Sequence, residues 1–176
     1  MKKLLLCVLA ASVFAQPLFA IDLPVPPAGF TWQQIPELKA ALLKPDGWFF
    51  KQEEKNGTIA YFITKESIEQ GGDFSTGLTV NVFRGLKESA VGHGETLIEQ
   101  IASQMHGEKW ARTVGPFQEF GCDAKDSESV LRYLAIANPK TNTLYLFIFE
   151  SPVPDWDAAW KLGKQIMDNL AIDDGV

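Results

Sequence analysis

The chain of 176 residues carries 16 lysines and arginines against 22 aspartates and glutamates, a formal charge of −6, with only two histidines. That balance argues against a basic nucleic-acid-binding surface and against a polybasic anchor to anionic lipid. With 46% hydrophobic residues the chain can bury a core without cysteine staples, and its length suits a single domain.

Residues 1–20 read as a secretory signal peptide. Lys2 and Lys3 form a basic start, Leu4 to Phe14 an apolar stretch, and the segment ends near Ala15 or Ala20. The apolar stretch is short of the roughly 20 residues that span a bilayer. Cleavage after Ala20 is preferred, because Ile21-Asp22-Leu23-Pro24 reads as a mature start. Cys7 is preceded only by leucines and offers no lipidation site. Cleavage removes two lysines, leaving 14 basic and 22 acidic side chains, a charge of −8. Cys122 is then the only cysteine, so no intramolecular disulfide is possible. The expected location is periplasmic or secreted, with no transmembrane span after the signal is removed.

Residues 21–30 are proline-rich and read as an extended linker ahead of a single domain over 31–176. Thr31 to Ile35 suits an edge strand, and Leu38 to Leu43 a short strand or a turn of helix. Pro45-Asp46-Gly47-Trp48 is a turn into a strand over Trp48–Glu54. Asn56-Gly57 is the strongest hairpin signal, since both central residues of a type I′ turn need positive φ. Its return strand, Thr58–Thr64, is apolar on both faces. A loop over Glu69–Thr76 leads to a strand at Leu78–Phe83. A helix follows from Ser89 to His106, with Val91, Leu97, Ile98, Ile101, Ala102 and Met105 on one side and Gly107 to end it. Thr113–Lys125 and Val130–Ala137 read as a hairpin pair.

The closing stretch organises the rest. Leu144-Tyr145-Leu146-Phe147-Ile148-Phe149 lacks polar alternation, as in a strand covered on both faces. Asp155 is placed to cap a helix whose stripe is Trp156, Ala159, Trp160, Gly163, Ile166, Met167 and Leu170. The tally is α+β: an antiparallel sheet of five to seven strands with helices packed on its faces.

The Pro45-Asp46-Gly47-Trp48 entry, the Tyr61-Phe62-Ile63 return strand, the Thr76-Gly77-Leu78-Thr79-Val80-Asn81 strand and the final apolar strand running into Trp156–Leu170 carry a likeness. Over roughly residues 30–173 the chain resembles exported bacterial members of the PsbP-like α/β/α sandwich superfamily. The resemblance implies the sandwich fold and an accessory or adaptor role, and carries over no catalytic signature.

The chemical inventory is sparse. His93 and His106 fall about 220° apart on a helix and make no metal pair. His106 suits the negative end of the helix dipole. Gly92-His93-Gly94-Glu95 offers a mobile, exposed histidine, or simply an entry loop. Gly71-Gly72-Asp73 lacks the setting of a phosphate loop. Cys122 reads as a packed small hydrophobe, since no spacing nominates a base for it. Trp32 and Trp110 stand beside loops and suit surface contacts. The expectation is a non-enzymatic envelope protein that binds or helps assemble a protein partner at or near the membrane surface, without a cofactor. Its contact residues would be Trp32, Gly72, Asp73, His93 and Trp110. Two alternatives stay open: a carrier of a small apolar ligand, and a hydrolase using Cys122.

Overall fold

The computed structural model describes residues 23–55, 58–69, 71, 73–173 and 175. The expected signal segment 1–20, the expected turn at Asn56-Gly57 and the candidate contact residue Gly72 lie outside the described residues. Among the described residues ten strands run in chain order: β1 (Phe30–Ile35), β2 (Ala40–Pro45), β3 (Phe49–Lys55), β4 (Thr58–Thr64), β5 (Gly77–Phe83), β6 (Glu108–Val114), β7 (Phe117–Lys125), β8 (Ser129–Asn138), β9 (Thr143–Pro152) and β10 (Ala171–Ile172). Helix α1 spans Ala90–Met105 and α2 spans Trp156–Asp168. Seven strands make one antiparallel sheet in the order β3-β4-β5-β9-β8-β7-β6. The other three form a small sheet, β1-β2-β10.

Strand β9 sits at the centre because its side chains are apolar in both directions. Tyr145, Phe147 and Phe149 enter a core shared with α2 and the small sheet; Leu144 and Leu146 enter a second core under α1. Helix α2 comes close over Phe149 at Gly163, where a Cβ would stand 2.7 Å from the ring. That closeness sends the small residues Ala159 and Gly163, with Ile166, into the interface. Trp160 is therefore half-buried at the border rather than central. It meets Phe149 edge-on at 5.6 Å and stacks on Trp156 at 5.5 Å with 5° between planes.

Helix α1 is capped by Ser89, whose Oγ accepts from Gly92 N at 3.1 Å. Its start is fastened to the β8–β9 turn: Asn142 Oδ1 accepts from Ala90 N at 2.6 Å, and Asn142 Nδ2 donates to the carbonyls of Leu86 and Glu88. The buried side is Ala90, Gly94, Ile98 and Ala102; Val91, Leu97 and Ile101 flank it.

Several local expectations change. His106 takes the left-handed position at the end of α1 (φ 53°), and Gly107 N closes on Ala102 O. Residues 113–125 are not one strand: the tight turn at Gly115-Pro116 separates β6 from β7. Strand β6 escapes a reading by alternation because it is a solvent-exposed edge with every residue exposed. Asp155 stands before α2 without a side-chain capping bond, since the 3-10 turn Val153–Asp155 already leads into the helix. The segment 36–45 resolves into a 3-10 turn, Pro36–Leu38, and strand β2.

Candidate functional site

The two faces of the large sheet are covered unequally. On one face, α2 and the small sheet bury Tyr61, Ile63, Leu78, Val80 and Val82 of β4 and β5. On the other face, α1 packs on β6, β7, β8 and β9. Strands β3 and β4 receive no helix there, and α1 reaches β5 only at its end, where Phe83 packs beside His93. Along β5, Leu78, Val80 and Val82 are buried, while Thr79, Asn81 and Phe83 are half-buried. The same limit shows on β9, where full burial gives way to half-buried Ile148 and Glu150.

Register places the open side chains in rows. One row runs Lys51, Phe62, Thr79, Ile148 and Tyr133 across five strands. The next runs Phe49, Thr64, Gly77, Glu150 and Leu131. Phe62 belongs to neither hydrophobic core. It meets Phe74 edge-on, with ring centroids 6.3 Å apart at 70°. Gly77 leaves room for Phe74, because a Cβ there would stand 3.0 Å from its ring.

The loop between β4 and β5 is held over this face. The Glu66 carboxylate accepts from Ser75 N, Ser75 Oγ and Thr76 N at 3.0–3.3 Å. Desolvation works against its ionisation, but these bonds together hold its carboxyl below the usual range. Buried Ile68 anchors the loop, and its carbonyl accepts from Lys51 Nζ at 3.1 Å. The result is a cleft of about 460 Å³, open to solvent and lined by Lys51, Glu53, Phe62, Asp73, Phe74 and Glu150. Lys51 is spent on Glu53, at 2.5 Å. Glu150 has no hydrogen-bond or ion-pair partner among the described residues, and desolvation pushes its carboxyl up.

Asp73 and His93 stand at opposite ends of this open face, Asp73 in the cleft wall and His93 beside Phe83 at the far end of β5. His93 is not the mobile loop histidine expected. It lies in the first turn of α1, half-buried, with its ring 6.3 Å from that of Phe83. Trp32 is also not a free anchor. It packs against the core beneath the small sheet, and its Nε1 donates to Pro24 O at 2.7 Å, tying the proline-rich segment to the domain. Trp110 is 37% exposed on β6, lying over Gly121, where a Cβ would fall 2.3 Å from the indole. Arg112 is 5.2 Å from the Trp110 ring centroid and pairs with Glu119 at 2.6 Å.

A second groove lies between the end of α2 and the β6–β7 hairpin. It measures about 470 Å³ and is lined by Arg112, Val114, Phe117, Glu119, Met167 and Leu170. Cys122 is buried and free, and burial, with Asp123 beside it, pushes its thiol up to about 11. At neutral pH it is a packed thiol rather than a thiolate nucleophile. Among the described residues no group of three or more His, Cys, Asp or Glu is placed to hold a metal ion. No helix among them is long and apolar enough to cross a membrane.

Sequence reasoning missed Phe62, Phe74, Ile148 and Glu150. The signal was present in β4, where Phe62 opposes Tyr61 and Ile63 in parity. Which of two apolar faces lacks a cover is settled only by where the helices land.

An antiparallel sheet with a helix on each face defines an α+β sandwich, and its fold is PsbP-like. The structure is similar to that of the cyanobacterial PsbP, CyanoP, from Synechocystis sp. PCC 6803, with a TM-score of 0.56 and 14% identity over 90% of this chain and 100% of that one. The Ran-binding protein Mog1p from Saccharomyces cerevisiae gives a TM-score of 0.49 at 11% identity, over 81% of this chain and 95% of that one. No protein-family model matches the sequence, and no curated protein does.

Proposed function

We propose that this is an exported, non-enzymatic protein that binds a protein partner through the open half of its sheet, at or near a membrane surface. The observation that carries the reading is the helix-free face of β3, β4 and the first part of β5, where Phe62 and the loop residue Phe74 stay half-buried outside both cores, bordered by half-buried Ile148 of β9. An apolar surface on the open half of an otherwise double-covered sheet gains stability when something covers it. The fold likeness to CyanoP is compatible with this role and specifies no partner. Export rests on the signal-like segment 1–20. The cleft opens to solvent and mixes charged with aromatic walls, unlike the closed apolar cavity that a carrier of small apolar ligands needs.

The test is site-specific photo-crosslinking in the native host. A photoreactive residue replaces Thr79, at the middle of the open face, or Gln165, exposed on α2. Discrete protein adducts from position 79 and none from 165 are expected. Adducts from 165 alone, or none from 79 in a folded and exported chain, refute the reading.

A further inference from the structure

We infer that the open half-face receives a partner segment that presents a lysine or arginine to Glu150 and lays apolar side chains on Phe62 and Ile148. The inference rests on the partner-binding reading and narrows it to one chemistry.

The argument is one of charge and neighbours. Three carboxylates line the cleft, those of Glu53, Asp73 and Glu150, against the single cation Lys51. Lys51 is already committed to Glu53 and to the Ile68 carbonyl. Glu150 is the half-desolvated carboxylate with no partner among the described residues, and Phe74 over Gly77 stands beside it in the cleft wall. A purely apolar occupant would complete the burial of Glu150 without compensation, at a steep cost. An acidic occupant, an anionic lipid surface, or a second copy of this acidic chain would add like charge. A cation compensates Glu150, and the pair gains strength because the site is already partly dry.

Spacing supports the same occupant. Ile148 stands two residues from Glu150 on β9, about 7 Å along the strand, and Phe62 lies two strands further across. A helix brings side chains three or four positions apart within a similar distance, so one turn presents a cation beside an apolar group.

The experiment uses the protein purified from its host and two synthetic amphipathic peptides of about 18 residues. The peptides share a leucine pattern; one carries lysine and the other glutamate at the polar positions. Peptide affinity is read by fluorescence anisotropy, and the fold of each variant by circular dichroism. The lysine peptide is expected to bind and the glutamate peptide not. Glu150→Gln should weaken the lysine peptide about tenfold, in the range for a partly buried charge pair. Asp157→Asn, an equal loss of charge on exposed α2 across the sheet, should leave affinity unchanged. Equal effects of the two substitutions, equal binding of both peptides, or binding of neither overturns the inference. Phe62→Ser separates the levels. If it weakens both peptides while Glu150→Gln does nothing, the face binds protein but the cation requirement is wrong. If it changes neither, the partner-binding reading falls as well.

Discussion

Trp160→Ala removes one ring of a three-ring cluster with Trp156 and Phe149, whose own contact at 5.9 Å remains. Its ring stacks on Trp156 at 5.5 Å, meets the edge of Phe149 at 5.6 Å, and lies under the Arg132 guanidinium at 4.1 Å. Arg132 is itself held by a two-pronged pair with Asp123. Aromatic pairs contribute about 0.5–1.5 kcal/mol each and an exposed cation–π contact about 0.5–1 kcal/mol. These contacts share one ring and do not sum in full, so the substitution should cost about 2–3 kcal/mol. For a domain of this size that lowers Tm by roughly 4–12 °C. Phe149→Ala empties a fully buried site and should cost about 3–5 kcal/mol. Lys161→Ala, exposed on α2, should stay within about 0.5 kcal/mol. Urea melts of the three variants give the ranking. If Trp160→Ala is as mild as Lys161→Ala, the border stack is not formed; if it matches Phe149→Ala, Trp160 is a core residue.

Glu150→Gln should raise stability at neutral pH. Burial raises the folded-state titration of Glu150, so its favourable protonated form is complete below the unfolded-state value and is lost as pH rises through the folded one. The gain over wild type should therefore vanish in acid, and a gain that grows as pH falls contradicts the assignment. Cys122, buried with its thiol near 11, should label slowly in the native protein and quickly in denaturant. Rapid native labelling would mark an exposed thiol. Intact mass of the exported protein should place its first residue at Ile21 or Gln16, whereas retention of Met1 refutes a cleaved signal.

Much of the architecture was legible because periodicity reports on burial directly. The run Leu144–Phe149 fits a doubly covered strand or a buried helix segment by pattern alone, and its shortness, aromatics and flanking Asn142, Pro152 and Pro154 favour the strand that is found. Ser89 with the apolar stripe after it announces α1. Strand β6 was not legible, since an exposed edge strand imposes no alternation on Glu108–Val114. Nor was β10, two residues that pair with β2 only once α2 has brought the chain back across the small sheet.

The site divides along the same line. Asp73 and His93 were nominated for loop composition, and both border the open face, though His93 does so from inside a helix. Trp32 and Trp110 were nominated for standing near loops, and tertiary packing decided their fates. Trp32 is drawn against the core and tied to Pro24, while Trp110 is left on the edge over Gly121. By itself the sequence determined that β4 and β9 carry apolar side chains on both faces. Only the tertiary structure decided that α1 covers the sheet as far as β9 and the Phe83 end of β5, leaving Phe62 uncovered and Ile148 and Glu150 half-buried at its border. Side-chain parity along a strand is a local property of the chain. The placement of a helix across a sheet depends on connections and packing that no single segment contains.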